Sequence, residues 1–110
     1  MEKIDALAGL AALAQETRLD IFRLLVEGGP AGLPAGEIGS RLSLPAATLS
    51  FHLKELRQAG LVGSRRVGRS LIYAADFPAM RELVAYLTEN CCAGRCPTPP
   101  RAAASKEIPS

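Results

Sequence analysis

Residues 36–74 read GEIGSRLSLPAATLSFHLKELRQAGLVGSRRVGRSLIYA, and the order of elements in this stretch decides the fold. Ile38 and Leu42 mark the inward face of a short helix expected over Ala35 to Leu42. Ser43-Leu44-Pro45 breaks it, and a proline suits the start of a new helix because its missing N–H would have no partner there. That helix begins near Pro45 or Ala46, places Leu49, Leu53 and Leu56 inward, and ends at Gly60. Its outer face offers Ala46, Ala47, Ser50, Phe51, Lys54 and Arg57. Leu61 to Arg66 and Ser70 to Ala74 then read as two strands joined around Val67-Gly68-Arg69. A two-stranded hairpin is marginal alone, so this one is expected to lean on a helical body.

Working outward, Leu19, Phe22, Leu25 and Val26 repeat at helical spacing from about Gln15 to Glu27, and Gly28-Gly29-Pro30 stops the pattern. Before it, Ile4, Leu7, Leu10, Ala11 and Ala14 recur in an alanine-rich segment, with Leu13 widening the stripe; this helix is expected to cover the body or a partner subunit. After the hairpin, Asp76 is placed to cap a last helix whose apolar stripe is Met80, Leu83, Val84 and Leu87. Cys91 and Cys92 fall in its last turn or just beyond. From Gly94 the chain is poor in large apolar residues and rich in Pro and Ala, which predicts disorder after Cys96.

At 110 residues the chain is one domain with a modest core, for which a dimer is a reasonable expectation. The division expected is 1–92 for the helical domain with its hairpin and 93–110 for an end that carries Cys96 and a tail. Between Arg41 and Ser70 six basic residues (Arg41, Lys54, Arg57, Arg65, Arg66, Arg69) face Glu55 alone, a local charge of +5 in a chain of net charge +2. A basic centre in an otherwise slightly acidic chain points to a polyanion at one face. No apolar run approaches the ~20 residues of a membrane span, and MEKIDALAGL lacks the features of a signal peptide. The expected location is the cytoplasm, with no membrane partner. In that compartment clustered cysteines are more readily reactive or metal-binding than a structural disulfide set.

Two helices with a short break, then a basic hairpin, is the order of a winged helix-turn-helix: mainly α with a small β-hairpin wing. In that arrangement the second helix enters the major groove of double-stranded DNA and the hairpin reaches the backbone or minor groove. Arg65, Arg66 and Arg69 would then contact phosphate or the minor groove, with Lys54 and Arg57 as positioning charges. Thr48 and Ser50 can exchange hydrogen bonds with base edges or phosphates, and Phe51 can pack on a thymine methyl or against the domain. Ala46 and Ala47 offer apolar contact or close approach. His52, the chain's one histidine, could donate to a phosphate or serve as an interhelical hydrogen-bonding residue.

The three cysteines sit together in Cys91-Cys92-x3-Cys96. Thiolates are soft donors, and three sulfurs suffice for trivalent arsenic or antimony in a three-coordinate pyramid. A closed zinc site wants four nitrogen or sulfur ligands, and no histidine or fourth cysteine lies near the cluster. A soft, three-coordinate centre is therefore preferred over zinc. On a continuous helix Cys91 and Cys92 would point about 100° apart, so Gly94 is expected to break the helix and fold Cys96 back.

With these residues in view, the chain resembles the ArsR/SmtB family of winged-helix repressors over roughly residues 4 to 92. The specific matches are ETRLDIFRLL in the second helix, ATLSFHLKELRQAGLV in the recognition helix and its exit, and RRVGRSLIY in the wing. The resemblance implies a homodimer, with the first and last helices at the interface, that leaves its operator when a metal or metalloid binds. It puts Thr48, Ser50, Phe51 and His52 in the operator-facing helix and Arg65 to Arg69 in the wing. Ala46 and Ala47 stand where many members carry polar residues such as Gln and Ser. The family's cysteine site before the recognition helix has no counterpart in 33–39, and Asp76 lacks the histidines of the zinc-type site on the last helix. Residues 88–96, TENCCAGRC, resemble the C-terminal cysteine site of an arsenic-responsive branch, which implies Cys91, Cys92 and Cys96 as ligands of As(III), with no organic cofactor.

The expected function is thus a repressor released from operator DNA by arsenite. Alternatives are antimonite, methylarsenite (for which Cys91 and Cys92 would suffice), another soft metal, or thiol oxidation. A small thiol-dependent redox enzyme is the alternative of another class, but no strand-loop-helix frame presents a CxxC pair.

Overall fold

The computed structural model describes residues 1–94. Five α-helices and a small sheet follow in the order α1 (Lys3–Leu13), α2 (Glu16–Gly28), β1 (Leu33–Pro34), α3 (Ala35–Leu42), α4 (Ala46–Gln58), β2 (Val62–Val67), β3 (Ser70–Ala75) and α5 (Phe77–Thr88), with a tight turn at Cys91–Gly94. The core gathers Ile21 and Leu25 of α2, Ile38 of α3, Leu49, Leu53 and Leu56 of α4, and Leu61 at the entry to the hairpin. Five of these seven side chains are leucine, which packs in well-defined rotamers at helical spacing.

The break between α3 and α4 is built by the backbone. Ser43 takes the left-handed conformation at φ 55°, and Leu44 N–H donates to Gly39 O at 2.9 Å, closing the end of α3. A Cβ at Gly39 would stand 3.2 Å from Leu44 O, so the absence of a side chain lets the turn close. Pro45 then sits outside α4, and its carbonyl accepts from Leu49 N–H at 2.9 Å.

The sheet has three antiparallel strands in the order β1-β3-β2, where the sequence suggested two. Leu33 pairs with Tyr73 and Pro34 with Ile72. Two residues are too few to show an alternation, and the proline is tolerated because β1 lies at the edge. The hairpin leans on the body through Val62, Tyr73 and Ala75, all buried.

Three helices turn differently from the simplest reading of their stripes. In α1 the buried residues are Ala6, Gly9 and Ala12, while Ile4, Leu7 and Leu10 face out, Ile4 being 74% exposed. The segment is apolar on both faces, so spacing alone could not choose, and the small residues face inward where neighbouring helices come closest: a Cβ at Gly9 would lie 3.6 Å from Leu83 and 3.7 Å from Leu61. In α2 Leu19 is exposed and Ile21 takes the core position. The last helix is capped as expected, with Asp76 Oδ1 accepting from Ala79 N–H at 3.0 Å, but of its stripe Leu83 is buried while Val84 and Leu87 lie open.

Candidate nucleic-acid interface and thiol pair

α4 presents an exposed face made by Ala46, Ala47, Ser50, Phe51, Lys54 and Arg57, with Thr48 exposed on one flank. The face is set by the inward leucines: once Leu49, Leu53 and Leu56 are buried, residues displaced by two or five positions must point away. His52 belongs on the other side of this division. It is 9% exposed, and its Nδ1 accepts from Arg18 Nε of α2 at 3.1 Å. Its place among the operator-facing residues is therefore corrected: of the two roles open from sequence, the structure gives it the interhelical one. Burial, then the neighbouring Arg18 charge, pull its pKa below the ordinary 6.5, against an upward pull from Glu55. A neutral imidazole is the form that can accept from a guanidinium.

Arg18 was not legible as a site residue. It extends from the first turn of α2, where Gln15 caps its own N–H at 2.8 Å, and its guanidinium lies 5.5 Å from the centre of the Phe51 ring. Nothing in the sequence spacing joins two residues 34 positions apart.

In the wing, β2 and β3 pair from Val62 opposite Ala75 to Val67 opposite Ser70, and Gly68 at φ 62° makes the tip. Period-two alternation sends the consecutive Arg65 and Arg66 to opposite faces of the hairpin. Arg66 and Arg69 are exposed near the tip. Arg65 is exposed too, but its guanidinium turns back to donate to Ala31 O at 2.8 Å and Pro30 O at 3.4 Å. In the chain without DNA it thus ties the wing to the α2–β1 loop. Arg41 forms an exposed ion pair with Glu37 one turn earlier, at 2.5 Å. The cations left outward on this side are Lys54, Arg57, Arg66 and Arg69.

At the far end, α5 stops before the cysteines. Glu89 is extended, Asn90 takes φ 57°, and a tight left-handed turn follows through Cys92 (φ 54°) and Ala93 (φ 52°). The break thus falls at Glu89-Asn90, ahead of the thiols, and not at Gly94. It brings Cys91 Sγ and Cys92 Sγ to 3.8 Å, both side chains exposed. Cys96 and the expected tail lie outside the described residues. Among the described residues no three His, Cys, Asp or Glu side chains converge as a metal site, and no helix is long and apolar enough to cross a membrane. Asp76 is committed to its cap.

A helix, a tight turn, a second helix with an open cationic face and a basic hairpin beside it define a winged helix-turn-helix DNA-binding protein. Comparison with known proteins agrees: a family described as helix-turn-helix domain matches residues 13–65. The chain is 35% identical over 94 residues, 84% of each protein, to the transcriptional activator HlyU of Vibrio cholerae. It superposes with a TM-score of 0.73 on an ArsR-like transcriptional regulator from Rhodococcus sp. RHA1, at 29% identity over 97% of this chain and 94% of that one. A second structure, described as a possible transcriptional regulator for arsenical resistance, matches at 0.63 with 28% identity, covering 72% and 79% of the two chains. The chain belongs to the ArsR family of winged helix-turn-helix transcriptional regulators. Its relatives are regulators and not enzymes, which closes the thiol-enzyme alternative.

Proposed function

We propose that this regulator is a homodimeric repressor whose hold on operator DNA is released when trivalent arsenic is bound by Cys91, Cys92 and Cys96. The observation that carries the reading is the approach of two exposed thiols, 3.8 Å apart, at the end of a helix whose apolar side is uncovered. Two soft donors already side by side need a third to complete a three-sulfur site, and Cys96 follows four residues later in the chain. Binding of arsenite replaces each As–OH by As–S, moves one thiol proton per bond into water, and requires no oxidant.

Release follows from where the thiols sit. Ile4 and Leu7 on α1 and Val84 and Leu87 on α5 are open on two helices that pack together through Gly9 and Leu83. Such apolar exposure suits the dimer interface. A three-sulfur clamp formed just beyond α5 would reorder the end of that interface and change the spacing of the two α4 helices. A palindromic operator accepts half-sites about one helical turn, ~34–36 Å, apart. A coupling of ~1–3 kcal/mol would weaken binding roughly five- to 150-fold.

In this reading Ala46, Ala47, Thr48, Ser50 and Phe51 meet base edges, and Lys54, Arg57, Arg66 and Arg69 meet phosphates. HlyU is named an activator, so the direction of control needs its own test. A reporter driven by the protein's own promoter should be silent with the wild-type chain, switched on by arsenite, and unresponsive to zinc. A reporter that the protein activates, or one that zinc induces and arsenite does not, would refute the proposal.

A further inference from the structure

Three side chains join α2 to the recognition helix. Arg18 Nε donates to His52 Nδ1 at 3.1 Å, the same guanidinium lies 5.5 Å from the Phe51 ring centre, and the Phe51 and His52 rings meet edge to face at 5.5 Å and 60°. Phe51 is 54% exposed, on the face that carries Lys54. The ring is thus open to water with a cation on one side and an imidazole on another.

We propose that Arg18 is a positioning residue for operator reading: through His52 it fixes the roll of α4, and through Phe51 it holds an exposed ring ready for DNA. This rests on the reading that α4 enters the major groove. Arg18 suits the role because its planar fork can donate along Nε while the ring lies against its face, which an ammonium cannot reproduce. The latch also responds to acid. A proton on His52 Nδ1 removes the acceptor and sets a second cation against Arg18. The charged groups facing this junction are Arg18 from α2 and Glu55 from α4 itself, while α1 brings Ala8, Ala11 and Ala12 to the same recess. His52 is the chain's one histidine, so its replacement isolates the imidazole's share of any change in operator affinity near its titration range.

The test is fluorescence anisotropy of the full chain on its promoter DNA, over a salt series and between about pH 7.5 and about pH 5.5, for wild type, Arg18→Lys and His52→Asn. Arg18→Lys is expected to bind about tenfold more weakly with the salt slope of the wild type, since the residue positions and does not neutralise a phosphate. His52→Asn places an amide oxygen near the Nδ1 position. Whatever its affinity at the higher pH, it should lose the further weakening that wild type shows at the lower. Arg18→Lys affinity within about twofold of wild type, or a salt slope reduced by about one, overturns the proposal. Should Arg18→Lys fail to fold by circular dichroism, His52→Asn decides: a pH profile identical to wild type sinks the latch. Wild type that binds no promoter DNA removes the operator reading and the latch with it, whereas wild type that binds beside an unaffected Arg18→Lys removes the latch alone.

Discussion

Arg65 Nη2 donates to the carbonyl oxygen of Ala31 at 2.8 Å, so the base of the wing is tied to the loop between α2 and the sheet. The two arginines nearest the tip, Arg66 and Arg69, stay outward. Arginines of one motif thus divide between one turned back to hold the wing and two left open to the surroundings.

That division separates the effects of substitution. Arg65→Ala should lower stability by about 1 kcal/mol, seen as a reduced melting temperature, because the carbonyls of Pro30 and Ala31 lose their donor. Arg66→Ala and Arg69→Ala should melt like wild type and each lower the salt slope of DNA binding by about one. Equal loss of salt slope in Arg65→Ala would contradict the tie.

Two glycines should respond in opposite directions. A methyl at Gly9 would meet Leu83 and Leu61 at 3.6–3.7 Å, ordinary packing distance, within a helix where alanine is the better former; Gly9→Ala should raise stability by about 0.5–1 kcal/mol. Gly32 has φ 75°, and a Cβ there would collide with the Tyr73 carbonyl and stand 2.9 Å from Ile72 Cγ2. Gly32→Ala should cost at least about 1 kcal/mol. Urea denaturation of both variants measures the pair, and a stabilised Gly32→Ala would contradict the register of β1 on β3.

Stability should also depend on pH through His52. Its folded pKa lies below 6.5, for burial first and Arg18 second, so the unfolded chain binds the proton more readily. The contribution is fully present above pH 6.5 and is lost as pH falls through the lowered folded value. The urea midpoint of wild type should drop across that interval relative to His52→Asn; parallel curves would show that His52 carries no such linkage.

The open side of α1 and α5 should hold the dimer. Leu7→Glu places a charge on an outward residue that is 58% exposed in the single chain, so the fold should survive by circular dichroism while sedimentation shifts to the monomer. A dimer unaffected by Leu7→Glu would move the interface elsewhere.

The elements around the DNA-facing helix were readable because their signals agree: leucines at 49, 53 and 56, a proline at its start, a glycine after its end, and basic residues in the following strands. The cap at Asp76 was readable for the same local reason. Long-range facts were not. The Arg18–His52 bond spans 34 positions, β1 is two residues of edge strand, and nothing local tells Arg65 to turn toward Ala31. In α1, apolar residues on every side left the choice of inner face to the neighbours, which admit Ala6, Gly9 and Ala12 more closely than leucine. The cysteine cluster stood out by composition, but the break at Glu89-Asn90 that sets Cys91 beside Cys92 depends on backbone geometry that no residue there announces.

The most direct test of thiol-gated release is an arsenite titration of the reduced protein bound to fluorescent promoter DNA, with zinc in parallel and Cys91→Ala, Cys92→Ala and Cys96→Ala beside wild type. Arsenite should dissociate the wild-type complex, zinc should not, and each cysteine change should abolish the response while leaving DNA binding intact. A wild-type complex that holds its DNA through the arsenite series would contradict the account.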